Sequence, residues 1–166
     1  MTALLYISTD DRAVGQPEPM SFDDPDFLPE ALSGRTGYML ARAAASARAM
    51  SEHDLEPLGI SAREYSVLAV LAEQSPLSQT RIAEILGLDR TTILKLGASL
   101  ERKGLVVRER DDHDRRAYAV ALTPAGEGVR LQAFSLLAES EDRFLTPLAG
   151  QQRDQLNDLL SRIVYL

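Results

Sequence analysis

The sequence predicts a mainly α-helical protein carrying one small β-hairpin, and three observations predict it. Apolar residues recur at helical spacing through most of the chain from residue 35 onward. Good N-caps and glycine stops cut that pattern into separate helices. One stretch, 105–122, instead alternates and is rich in β-branched residues on either side of a polar turn, which is the pattern of a hairpin.

Composition fits this class. The chain has 166 residues, enough for one domain with a core plus helical arms. Its 26% charged and 45% hydrophobic residues are those of an ordinary globular protein. No apolar run approaches the roughly 18 residues that a membrane span needs. The opening MTALLYISTDD has neither a basic n-region nor a cleavage pattern, so no secretory signal is expected. There is no cysteine, which excludes disulfides and thiolate metal sites and fits a cytoplasmic location.

Residues 1–34 contain Pro17, Pro19, Pro25 and Pro29 and read as an acidic, flexible arm. Leu4, Leu5, Tyr6 and Ile7 are its one apolar segment. Residues 35–56 are rich in alanine and other good helix formers and predict a long helix ending before Pro57-Leu58-Gly59. Ser61-Ala62-Arg63-Glu64 matches the capping box and opens a second helix, with Tyr65, Leu68, Ala69 and Ala72 on one face, ending near Ser75-Pro76. Ser78 caps a short helix that buries Ile82, Ala83 and Leu86. After Gly87-Leu88, Asp89 caps another helix, with Ile93, Leu96 and Leu100 inward and Gly104 at its end. Two helices joined by a tight glycine turn form a helix-turn-helix. Leu105–Arg110 and Arg116–Leu122 predict two strands around Asp111-Asp112-His113-Asp114. Thr123 and Pro124 cap a long helix carrying Val129, Ala133, Leu136, Leu137 and Phe144, and a last helix carries Leu156, Leu159, Leu160 and Ile163. Tyr38, Tyr65, Phe134 and Phe144 are expected in the core.

The expected architecture is therefore a winged helix-turn-helix with N- and C-terminal dimerisation helices. The arm covers 1–34, the N-terminal dimerisation helix 35–60, the DNA-binding domain 61–122 and the C-terminal dimerisation helices 123–166. The terminal helices carry more apolar surface than one small lobe covers, which predicts an isologous homodimer on a pseudo-palindromic operator.

A formal charge of −7 looks wrong for a DNA binder, but the charge is unevenly placed. Residues 1–33 hold seven acids against one base; residues 90–116 hold eight bases against five acids, a net +3. Affinity for a polyanion follows the local face. The helix 89–103, DRTTILKLGASLERK, presents Arg90, Thr91, Leu94, Lys95 and Ala98 opposite its buried face. Hydroxyls and cations suit phosphate oxygens and base edges, and Leu94 and Ala98 suit a thymine methyl. Ser78, Gln79 and Thr92 complete this candidate DNA surface. Arg108, Arg110, Arg115 and Arg116 cluster on the hairpin; Arg115 and Arg116 are the candidates for a minor-groove or phosphate contact, with Asp114 supporting the wing.

Enzyme chemistry is not expected. The chain has two histidines, His53 and His113, and no G-x-S-x-G, Walker or H-E-x-x-H pattern. Asp111 to Asp114 read as a solvated turn, because four adjacent residues do not easily converge on one cation. No metal or cofactor site is expected. The rival reading is a winged helix that contacts protein without specific DNA binding; it keeps the hydrophobic pattern but needs no basic wing.

The stretch Ser61–Leu71, then Pro76-Leu77-Ser78-Gln79-Thr80, then Ile82–Gly126 (IAEILGLDRTTILKLGASLERKGLVVRERDDHDRRAYAVALTPAG) resembles the MarR family of transcriptional regulators. The resemblance covers roughly residues 35–165. It implies a homodimer of winged lobes, most simply a repressor, whose operator affinity answers to a small molecule or a redox signal. Without cysteine, thiol-based peroxide sensing is excluded. Without tryptophan, and with Ser66 where a urate-responsive branch carries an acid, that mode does not transfer. Leu94 and Gly97 depart from the residues common in the family, so the base sequence read does not transfer either. The architecture implies a crevice between the dimer helices and the recognition helix, with Tyr38, Arg42, His53 and Tyr65 as candidate lining residues. That chemistry suits a small aromatic or phenolic anion; regulation by abundance alone is the open alternative.

Overall fold

The computed structural model describes residues 28–110 and 118–164. They fall into two units divided after Met39. In the first, Pro29 O accepts the Leu32 and Ser33 amides at 2.8 and 3.0 Å and starts a short helix, α1 (Glu30–Ser33), inside the stretch read as arm. The rest of that arm lies outside the described residues.

Helix α2 (Thr36–Leu55) ends in a 3-10 turn, Glu56–Leu58, closed by Gly59 at φ 65°, where a side chain would be strained. Helix α3 (Ala62–Glu73) opens on a complete capping box: Ser61 Oγ accepts the Glu64 amide at 3.1 Å and Glu64 Oε2 accepts the Ser61 amide at 2.8 Å. Strand β1 (Leu77–Ser78) leads directly into α4 (Gln79–Leu86), and Gly87 turns the chain into α5 (Arg90–Arg102). Strands β2 (Val106–Arg110) and β3 (Tyr118–Leu122) form the predicted hairpin, followed by α6 (Pro124–Phe144) and α7 (Gly150–Val164).

The sheet has three antiparallel strands in the order β1-β3-β2, so the expected hairpin gains a strand. Leu77 pairs with Val120, and Arg108 pairs with Val120 from the other side. Two residues are too few to show alternation, which is why β1 leaves no periodic signal in the sequence.

The core lies in the second unit. Leu55, Ile60, Val67, Leu68, Leu71, Ile82, Ile93, Leu100, Leu105, Val106 and Val120 are all buried in one cluster. The sequence periodicity names Leu68, Ile82, Ile93 and Leu100 among them, but on α3 it picks Tyr65, Ala69 and Ala72 where the structure buries Val67 and Leu71. The structure places Tyr65 against the core as expected, but not Phe134, which is 59% exposed, nor Tyr38, in the first unit, at 37%. The start of α6 is fastened to the end of the recognition helix. Thr123 Oγ1 donates to Gly104 O at 2.8 Å, and the Thr123 amide donates to Leu105 O at 3.1 Å. Gly126 is required there, because a Cβ would lie 2.0 Å from Leu105 O.

Candidate nucleic-acid interface

Helix α5 presents a polar face on a buried support. Ile93 and Leu100 are buried and hold it in the core, while Arg90, Thr91, Leu94 and Lys95 are exposed. Asp89 fixes its start: its carboxylate accepts the Thr92 amide at 2.9 Å and the Thr92 hydroxyl. Those hydrogen bonds, the hydroxyl first, hold the Asp89 carboxyl below its ordinary range. Asp89 is therefore charged at neutral pH, and it occupies the Thr92 hydroxyl. Arg90 and Lys95 have no acidic partner among the described residues.

The other predicted contacts divide. Ser78 is the N-cap of α4 and accepts the Arg81 amide at 3.2 Å, leaving its hydrogen to donate elsewhere. Gln79 Nε2 is buried and without a partner; an added Cβ on Gly97 of α5 would lie 3.2 Å from it. The Gln79 amide thus faces the α4–α5 contact. Arg108 Nε pairs with Glu101 at 3.1 Å, which ties β2 to the recognition helix. Asp114, Arg115 and Arg116 lie outside the described residues, as do Asp111, Asp112 and His113.

Sequence reasoning missed an ion pair behind the interface. Lys103 Nζ lies 2.7 and 2.8 Å from the two carboxylate oxygens of Glu64, joining the end of α5 to the start of α3. Burial pushes the Glu64 carboxyl up, but the bond from Lys103, the Ser61 amide, the Ser99 hydroxyl and the Lys103 charge together outweigh it and hold the group below its ordinary value. The two residues are 39 apart in sequence, and nothing local signals the pairing.

The predicted ligand-lining residues are not gathered into one pocket. Arg42 is exposed, the His53 side chain is 82% exposed beside Glu56, and Tyr65 is half-buried. A cavity of about 510 Å³ instead opens between α2, α6 and α7, lined by Leu40, Ala44, Ala47, Leu137, Phe144 and Leu160 among others. It includes none of Arg42, His53 and Tyr65. Arg130 of α6 makes a bidentate pair with Glu127, both contacts 2.7 Å.

A helix held by a buried face, with a polar face outward and a strand hairpin beside it, defines a winged helix-turn-helix. Comparison with known proteins agrees. The MarR family profile matches residues 58–117. A MarR-family transcriptional regulator from Rhodococcus sp. RHA1 is 32% identical, covering 81% of this chain and 96% of its own, with a TM-score of 0.75. The transcriptional repressor CouR, bound to a 23-mer DNA duplex, is 33% identical over 81% of this chain and 96% of its own, with a TM-score of 0.77. CouR from Rhodococcus jostii RHA1 is also known bound to p-coumaroyl-CoA, where the TM-score is 0.71 at 32% identity, covering 81% of this chain and 95% of its own. The PcaV regulator of Streptomyces coelicolor, in complex with its natural ligand, is 26% identical over 83% of this chain and 97% of its own, with a TM-score of 0.70. The chain belongs to the MarR family.

Proposed function

We propose that this regulator is a ligand-responsive repressor that binds duplex DNA as a homodimer. The observation that carries the reading is the outward face of α5, where Arg90, Thr91, Leu94 and Lys95 are exposed and the two cations unpaired among the described residues. In the lobe 61–122, α5 enters the major groove and the hairpin, with Arg115 and Arg116 supported by Asp114, reaches the flanking backbone or minor groove. Ser78, Gln79 and Thr92 flank the reading face; the Gln79 amide serves by filling the α4–α5 contact. That a structural relative is found on a DNA duplex supports this assignment.

The helices of 35–60 and 123–166 make the dimer. Among the described residues, Leu40, Leu131, Phe134, Leu159 and Ile163 leave large apolar surfaces in water, and a second copy covers them. A ligand acts where the dimer helices meet the winged lobe, with Tyr38, Arg42, His53 and Tyr65 as the candidate groups. A small aromatic or phenolic anion fits those groups, in keeping with the p-coumaroyl-CoA held by CouR. The chain performs no catalysis, needs no cofactor and works in the cytoplasm; no helix among the described residues is long and apolar enough to cross a membrane.

Filter binding with a duplex selected from random sequence tests this. Wild type should bind with a steep negative dependence of log affinity on log salt, and Arg90→Ala should both weaken binding and change the preferred sequence. Binding that ignores salt and survives Arg90→Ala would instead fit a protein-contact module.

A further inference from the structure

A second polar groove lies beside the reading face. It has a volume of about 450 Å³ and is lined by Ser61, Arg63 and Glu64 of the α3 start and by Thr92, Lys95, Ser99 and Lys103 along one side of α5. With 3.6 residues per turn, Thr92, Lys95, Ser99 and Lys103 form one stripe down the helix, and Lys95 stands on both this stripe and the outward face. The groove is therefore continuous with the surface that meets DNA.

The charges in the groove are not balanced from within. Glu64 is its floor, 4% exposed, and is already satisfied by Lys103 and the Ser61 amide. Lys103 is used by the same pair. Arg63 and Lys95 remain exposed, with no acidic partner among the described residues. Several other basic side chains are drawn into pairs, among them Arg81 with Glu84, Arg108 with Glu101 and Arg130 with Glu127, whereas Arg42, Arg48 and Arg90 share the unpaired state of Arg63 and Lys95 among the described residues. What sets Arg63 and Lys95 apart is that they face one groove whose single carboxylate, Glu64, is already held by Lys103, so the groove is left net positive and suits an anion from outside. The α3 terminus itself is not the anchor, because its capping box is closed.

We infer that Arg63 and Lys95 clamp a backbone phosphate of the operator in this groove, extending the DNA contact from α5 onto the start of α3. This rests on the DNA-binding reading above. Two flexible cations on separate helices, lining one groove, suit one phosphate and read no base. The Glu64–Lys103 pair sets the groove by holding the two helices together. The contact fixes the register of α5 in the major groove and adds affinity on every sequence alike.

The test compares Arg63→Ala, Arg90→Ala and Arg48→Ala in the full-length dimer. Arg48 is exposed on α2 and controls for net charge. The probes are the selected duplex and sheared genomic DNA. Loss of one phosphate contact per protomer should flatten the log–log salt slope by about 1.8 per dimer, so that the affinity lost between about 50 and 200 mM salt shrinks roughly twelvefold. The order of preference among base-substituted duplexes and the melting temperature should not change. If Arg63→Ala keeps the slopes of wild type and Arg48→Ala while Arg90→Ala flattens them, the groove assignment is wrong and the DNA reading stands. If neither variant changes the slope, both fall. A second arm melts the protein in inorganic phosphate against chloride at equal ionic strength. Phosphate stabilisation lost in Arg63→Ala, with DNA slopes unchanged, assigns the groove to a free phosphate and overturns the DNA contact.

Discussion

Glu64 and Lys103 show what a single pair contributes to the winged lobe. The carboxylate is 5% exposed at its side chain and the lysine 34%, so water screens one end only. Lys103→Met strands a buried charge and should cost about 1–3 kcal/mol, less than the roughly 3–5 of a fully enclosed pair. Adding Glu64→Gln should recover most of that loss, since the polar group left behind needs no countercharge. The pH dependence follows from the lowered carboxyl. Its contribution is fully present above the ordinary value of 4.5 and is lost as pH falls through the folded value. Acid titration followed by circular dichroism should therefore show a smaller loss of stability in Glu64→Gln than in wild type; an equal loss would show that the pair is idle. Only half of this residue pair was legible in the sequence. Ser61 and Glu64 sit three apart and announce a cap, whereas Lys103 comes from a helix that only folding brings near. Gln79 shows the same limit: its type suits a base edge, and packing against α5 turns its amide inward.

Helix starts were the most legible elements, because a cap and its partner are local. Asp89 anchors α5, and Asp89→Ala should lower both the melting temperature and DNA affinity, while Asp89→Asn, an equally good cap, should keep most of each. Equal loss in both variants would assign the effect to the charge rather than the cap. The start of α6 offers a sharper contrast between two glycines of one helix. A methyl at Gly126 would meet Leu105 O at 2.0 Å, whereas nothing lies within 4 Å of one at Gly128. Helix propensity favours alanine at both by up to about 1 kcal/mol. At Gly126 the displacement of backbone should cost about 1–3 kcal/mol and win. Thermal melts should thus fall for Gly126→Ala and rise or hold for Gly128→Ala; similar shifts in both would mean that α6 does not press on the turn between α5 and β2. Strands were legible only where they alternate. β2 and β3 do, over five residues each, and the two-residue β1 does not.

At the scale of the molecule, the fold class was legible because periodicity, caps and turns agreed with one another. The ligand crevice was not, because a pattern of residues along one chain cannot show which surfaces a second chain closes. Phe134 at 59% and Leu159 at 56% exposure are apolar surfaces that the proposed second chain would cover. The central claim is that two chains join through α2, α6 and α7 and present paired α5 helices to one duplex. Sedimentation of the protein, alone and with the selected duplex, tests it most directly. The protein alone should sediment as a dimer at micromolar concentration, and the complex should hold two chains on two half-sites about 10 bp apart, dissociating as salt rises. A stable monomer, or a single chain on an undivided site, would contradict it.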